Sequence, residues 1–183
     1  VAGEREIDFI VNLEDTEEEV WFSPSKLERI LYNLLSNAFK YTQPGGYVKL
    51  SAKLIKEEKG TFVQISVKDN GRGIPKEAQE QIFESYYQVE KRDHREGFGL
   101  GLSLTRSLIH MHKGEIRVES EINKGSDFIV TLNVSGDAYG PDERSSENIT
   151  TEEIQKYNQR IKETIELIPE KLTNKEKDPA RES

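Results

Sequence analysis

Residues 45–69 alternate apolar and polar side chains twice in succession. "GGYVKLSAKL" and "GTFVQISVKD" each put every second residue on one face, which predicts two strands joined as a hairpin. A period of two does not suit a helix, so this pair places a sheet in the middle of the chain. Helical periodicity lies on either side. In "SPSKLERILYNLLSNAFKYT", Leu27, Ile30, Leu31, Leu34, Leu35 and Ala38 form a broad apolar stripe, with Ser23 placed to cap the helix and Pro24 suited to its first turn. "LGLSLTRSLIHMH" predicts a second long helix, and "PKEAQEQIFESYYQ" a short one with Pro75 near its start. "EIDFIV" and "EVWF" read as strands joined by the acidic turn "NLEDTEE". "GEIRVES" and "SDFIVTLNV" read as a last hairpin turning at "INKG". Strands and helices are segregated rather than strictly alternating. That favours an α+β fold: a two-layer sandwich of a mixed, largely antiparallel sheet with helices on one face.

The composition changes near Gly136, which divides the chain into a domain over residues 1–135 and a polar linker over 136–183. Within the linker, Ile154, Tyr157, Ile161, Ile165 and Ile168 recur at helical spacing and predict one amphipathic helix ending near Pro169, followed by a disordered tail. That helix fits two roles, a tether to a further domain or an element packed on the first. With 26 basic and 34 acidic residues the net charge is −8, and no large Lys/Arg cluster offers a nucleic-acid surface. There are no cysteines, which excludes disulfides, thiolate metal sites and a cysteine nucleophile. No apolar run approaches the ~20 residues of a membrane span, and "VAGEREIDFIV" lacks a signal-peptide layout. A reducing, cytosolic setting without direct membrane contact is expected. The abrupt start suggests a piece of a longer chain.

Three stretches carry candidate chemistry. Asn33 and Asn37 are four residues apart on the first helix, and Lys40 continues that face. They fit ordinary polar surface or a metal–phosphate site. Magnesium prefers oxygen ligands and binds partly through substrate phosphates, and a lysine supplies a point charge to them. In "VKDNGRGIP", Asp69 sits at the end of a strand, before a turn built by Gly71 and Gly73. Its carboxylate can accept a hydrogen bond from an exocyclic amine such as adenine N6, although a plain Asp-Asn-Gly turn would look the same. "GFGLGL" fails the dinucleotide fingerprint because position 102 is leucine, and no Gly-Lys-Ser/Thr follows it. It reads as a glycine hinge leading into a helix N-terminus, whose free N–H groups suit phosphate.

Taken together and in order, "NLLSNAFKYT", "DNGRGIP", "IFESYYQ" and "GFGLGLSL" resemble the N, G1, F and G2 boxes of the catalytic ATP-binding domain of bacterial sensor histidine kinases. These belong with gyrase, the Hsp90 chaperones and the MutL proteins in the group of the Bergerat-type ATP-binding fold. The resemblance spans roughly residues 5 to 134. It implies ATP and Mg²⁺ as ligands, with Asn37 the principal metal ligand, supported by Asn33, and Lys40 and Tyr41 reaching phosphates and sugar. It implies Asp69 at adenine N6, Gly71 and Gly73 close to the base, and Ser126 near an adenine-side water network. Phe83 would anchor the short helix, Tyr87 would lie near the nucleotide, and residues 88 to 96 would form a mobile lid. Gly97, Gly99, Leu100, Gly101 and Leu102 would line the phosphates.

Departures from the family pattern bear on mechanism. Gln88 stands where members often carry an arginine that assists the γ-phosphate, leaving Lys91, Arg92 and Arg95 as nearby cations. Ser23 replaces a frequent aspartate. No phosphoacceptor segment is present, and His94, His110 and His112 read as surface or packing histidines. The acceptor would then lie on a dimerisation/histidine phosphotransfer domain of the same full-length protein, with a response-regulator receiver downstream and this segment as the cytoplasmic domain of a membrane-anchored sensor. Water-directed members place a glutamate where this chain has Asn33, which cannot abstract a proton. Three readings follow: the catalytic half of a histidine kinase, which the resemblance favours; a same-fold serine kinase or ATPase; or a degenerate nucleotide-binding module.

Overall fold

In the computed structural model, which describes residues 7–18, 20–85 and 101–140, the double alternation forms β2 (Tyr47–Glu57) and β3 (Gly60–Asp69). They pair antiparallel, with Leu50 opposite Val67 and Ala52 opposite Ile65. The remaining elements are β1 (Asp8–Leu13), α1 (Pro24–Tyr41), α2 (Gly101–Met111), β4 (Glu115–Glu121) and β5 (Gly125–Asn133). The five strands run in the order β1-β2-β3-β5-β4. β1 lies parallel to β2 and the other three ladders are antiparallel, so the expected mixed α+β sheet is present.

Both helices cover one face of this sheet. Ile30, Leu34 and Ala38 of α1 and Leu108 and Ile109 of α2 are buried against Val48, Ile65, Val67, Val130 and Leu132. The intervening residues of β3, Ser66 and Lys68, point the other way. Removing a side chain such as Leu34 from water contributes about 1.5–3 kcal/mol, so the α1 stripe holds the helix on the sheet. Phe83 adds an edge-to-face contact with Phe128 at 6.3 Å between ring centroids.

Three local expectations are corrected. Val20–Phe22 do not form a strand: the Trp21 N–H donates to the Val134 carbonyl at 2.8 Å, and the indole lies 4.2 Å from the Tyr139 ring. β1 therefore has no hairpin partner there and instead pairs with β2, Phe9 opposite Val48. "PKEAQEQIFESYYQ" does not open as an α-helix but as short 3₁₀ turns at Lys76–Ala78 and Gln81–Phe83. The Gln79 amide donates to the Ile74 and Ser120 carbonyls, tying this segment to β4. Ser23 precedes α1 without a side-chain cap, although Pro24 occupies its first turn. Its N–H donates to His112 Nε2 at 3.2 Å instead. Tyr87, Gln88, Gly97, Gly99, Leu100, His94, the segment 88–96 and the linker beyond Gly140, with its expected helix, lie outside the described residues.

Candidate functional site

The polar edge of α1 carries Asn33, Asn37 and Lys40, all half-buried. Asn33 Nδ2 donates to Thr105 Oγ1 at 2.7 Å, and the Thr105 hydroxyl donates to the Gly101 carbonyl at 2.9 Å. Thr105 is only 1% exposed, while Asn33 and Gly101 are half-buried. A β-carbon on Gly101 would sit 2.5 Å from Asn33 Oδ1. The amide oxygen of Asn33 thus faces Gly101, the first residue of α2. Leu102 sends its side chain towards the core, which leaves its backbone for the site.

At the C-terminal end of α1, about 12 Å further along its axis, Tyr41 meets the turn after β3. Its carbonyl accepts the Arg72 N–H at 3.4 Å, and the Arg72 guanidinium lies 4.4 Å from the Tyr41 ring centroid. Lys40 Nζ is 5.2 Å from the same ring. Tyr41 is therefore held among cations.

Asp69 is the last residue of β3 and is 4% exposed. Its Oδ1 accepts the Gly71 N–H at 2.8 Å. Burial pushes the carboxyl above its ordinary value, outweighing the N–H groups of Gly71 and Ser126, which favour the ionised form; Asp127 adds a smaller push upward. The glycines have steric reasons. A β-carbon on Gly71 would overlap the Tyr41 carbonyl and approach Asp69 Oδ1. Gly73 has φ +70° and its β-carbon would overlap the Glu121 carbonyl. Ser126 lies opposite Asp69 in the ladder, and its hydroxyl is 2.9 Å from Ser120 Oγ. Ser120 Oγ also accepts the Ile74 N–H at 2.8 Å, which fixes the turn to the β4–β5 hairpin.

The sequence-expected residues thus gather in two groups joined by α1. Asn33 and Gly101 meet at its middle. Lys40, Tyr41, Asp69, Gly71, Gly73 and Ser126 adjoin at its C-terminal end. A cavity of about 300 Å³ borders Asp69, but Lys68, Glu119 and Asp127 place it towards the outer face of the sheet, away from Asn33 and Lys40. Thr105 and Arg72 border these groups as well, without a motif of their own to single them out. Arg72 stands between Gly71 and Gly73; Thr105, one turn after Gly101, has only that spacing to mark it.

His112 falls outside this site. It is 1% exposed, and because Nε2 accepts the Ser23 N–H, Nδ1 carries the proton donated to the Leu108 carbonyl at 3.1 Å. Burial holds its imidazole below the ordinary value, against the pull of that hydrogen bond, with Lys26 a lesser push downward. It is a packing histidine, as expected, and His110 is a surface one.

A family model described as "Histidine kinase-, DNA gyrase B-, and HSP90-like ATPase" matches residues 22–136. The adaptive-response sensory kinase SasA of Synechococcus sp. (strain JA-2-3B'a(2-13)) is 43% identical over 115 residues, covering 63% of this chain and 30% of SasA. The chain therefore spans under a third of that relative's length. Among solved structures, the catalytic domain of histidine kinase ThkA is 28% identical with a TM-score of 0.61, covering 73% of this chain and 82% of that one. Full-length ShkA in complex with AMPPNP is 27% identical with a TM-score of 0.62, covering 72% of this chain and 26% of ShkA.

Proposed function

Because the chain belongs to the histidine kinase-, DNA gyrase B- and HSP90-like ATPase family, we propose that it binds Mg-ATP along α1 and donates the γ-phosphate to a histidine on a dimerisation domain of the same protein. The observation that carries this reading is the pairing of opposite chemistries along the C-terminal half of α1. Neutral amide oxygen faces the start of α2 at Asn33, midway along α1, and a buried carboxyl lies by its C-terminal end at Asp69.

The donor set suits a hard cation that arrives with phosphates. The amide oxygens of Asn33 and Asn37 add no negative charge beside a triphosphate, and Asn33 already has its N–H₂ engaged elsewhere. Mg²⁺ held there would neutralise phosphate charge and orient the transferable group. Lys40 and Tyr41 would face the phosphates and sugar. Asp69 would accept the adenine N6–H, with Gly71 and Gly73 admitting the ring edge and Ser126 supporting that side. The backbone of Gly101 and Leu102 would meet phosphate at the start of α2. By resemblance Gly97, Gly99 and Leu100 extend that contact, and Tyr87 and Gln88 lie near the nucleotide.

Phosphoryl transfer asks mainly for positioning and charge neutralisation, which these residues offer. Asn33 has no basic group to deprotonate water, which favours a kinase over an ATPase. The acceptor imidazole would come from the dimerisation domain, and the phosphate would pass on to a response-regulator receiver. SasA and ThkA, named as kinases, favour the kinase reading, and AMPPNP in the ShkA complex favours ATP as the ligand. Placement as the cytoplasmic domain of a membrane-anchored sensor belongs to the same proposal; among the described residues no helix is long and apolar enough to cross a membrane.

The test is calorimetric titration of ATP with Mg²⁺ into wild type, Asn37→Ala and Asp69→Ala, followed by transfer of ³²P to the separately supplied dimerisation domain. Loss of binding in both folded variants, with labelling of one histidine by wild type alone, is expected. Wild-type affinity in both variants would overturn the assignment of the site.

A further inference from the structure

We propose that Thr105 is a positioning residue that sets which end of the Asn33 amide faces the metal–phosphate site. The inference rests on the Mg-ATP reading above and concerns a residue that neither the glycine run nor the asparagine pair identifies.

A threonine hydroxyl has one proton to donate. Here it goes to the Gly101 carbonyl, four residues back in α2, at 2.9 Å. The Thr105 oxygen can then only accept from Asn33, so Asn33 must offer its N–H₂, and does so at 2.7 Å. The amide is planar, so its oxygen is turned to the opposite side. It lies 2.5 Å from the place a β-carbon on Gly101 would occupy. Without the hydroxyl, a half-turn about the last side-chain torsion would present the N–H₂ to the cation instead, and an amide nitrogen is no ligand for a hard cation. Thr105 is buried, so water does not readily replace the missing acceptor. Gly101 has a second role in this light: its carbonyl takes the proton, and its lack of a side chain leaves room for the oxygen.

The experiment uses the chain as it stands, with Thr105→Val, which keeps the shape and removes the hydroxyl, and Thr105→Ser, which restores it. Affinity for AMPPNP is measured in Mg²⁺ and in EDTA, and the Asn33 side-chain N–H₂ resonances are followed by NMR without ligand. Thr105→Val should reduce the metal-dependent gain in affinity about two- to tenfold, the range for one neutral hydrogen bond, and leave binding in EDTA unchanged. It should also move the Asn33 N–H₂ resonances towards solvent-exposed positions. Thr105→Ser should recover both. A wild-type metal effect that Thr105→Val leaves intact, or that Thr105→Ser fails to restore, overturns this inference alone. No metal effect in wild type overturns the Mg-ATP reading, and the positioning role with it.

Discussion

Asp69 and His112 are two buried titratable groups with opposite charge chemistry, and burial pushes both towards their neutral forms. What separates them is their surroundings. His112 is closed on both ring nitrogens by its own chain, and Trp21, itself stacked on Tyr139, packs alongside. It joins the segment before α1 to the end of α2 and, through its carbonyl, to Asn133 at the end of β5. Asp69 stands at the end of β3, beside the Gly71–Gly73 turn and on the border of a cavity. A shifted pKa alone does not mark a site; a shifted group beside a cavity and other candidate residues does.

The largest expected effect falls on the closed group. His112→Ala removes a buried ring and strands the Ser23 N–H and the Leu108 carbonyl, so it should cost about 2–4 kcal/mol of stability. Chemical denaturation would measure this, and nucleotide affinity at low temperature should hold. The same residue sets an acid limit. Its folded pKa lies below 6.5, so its contribution is complete above 6.5 and is lost as pH falls from there through the folded value. A His112→Gln variant should lack that slope. An equal slope in the variant would assign the acid limit to other groups.

Asp69→Asn should break the comparison in the opposite direction. Nucleotide affinity should fall by about 1.5–3 kcal/mol, or roughly ten- to 150-fold, the range for a hydrogen bond to a charged group. Stability near neutral pH should rise, because an ionised carboxyl no longer has to be buried. The sign follows from its raised pKa. The protonated form stabilises the fold below 3.8, and that contribution is lost as pH rises through the folded value. The gain in melting temperature over wild type should therefore vanish at acid pH. A variant less stable than wild type at neutral pH would show that the Gly71 and Ser126 contacts outweigh burial.

This contrast also explains what was legible in the sequence. Alternation named β2 and β3, helical spacing named α1 and α2, and Asp69 stood out because a strand ended just before a pair of glycines. Each of those signals is local. "EVWF" was misread because Trp21 is engaged by Tyr139 and Val134, more than a hundred positions away. The α-helix expected after Pro75 gave way to 3₁₀ turns because Gln79 is held by β4. The asparagines can be named as donors, but the Asn33 amide is held by Thr105, 72 residues further on. Residue types of the site are local; their orientation is not.

The smallest effect is at Ser23. A serine before a helix ordinarily contributes about 0.5–2 kcal/mol through its hydroxyl. Here the hydroxyl makes no cap bond and lies 3.3 Å from Ser25 Oγ, while the backbone N–H is the group His112 accepts. Ser23→Ala keeps that N–H. It should change stability by less than about 0.5 kcal/mol, the range of an ordinary surface substitution. In the His112→Ala background the two losses should add, since the hydroxyl takes no part in the histidine contact. A cost above about 1 kcal/mol for Ser23→Ala alone would mean that the hydroxyl caps α1 in solution, and that this end of the helix depends on its own side chain as much as on His112.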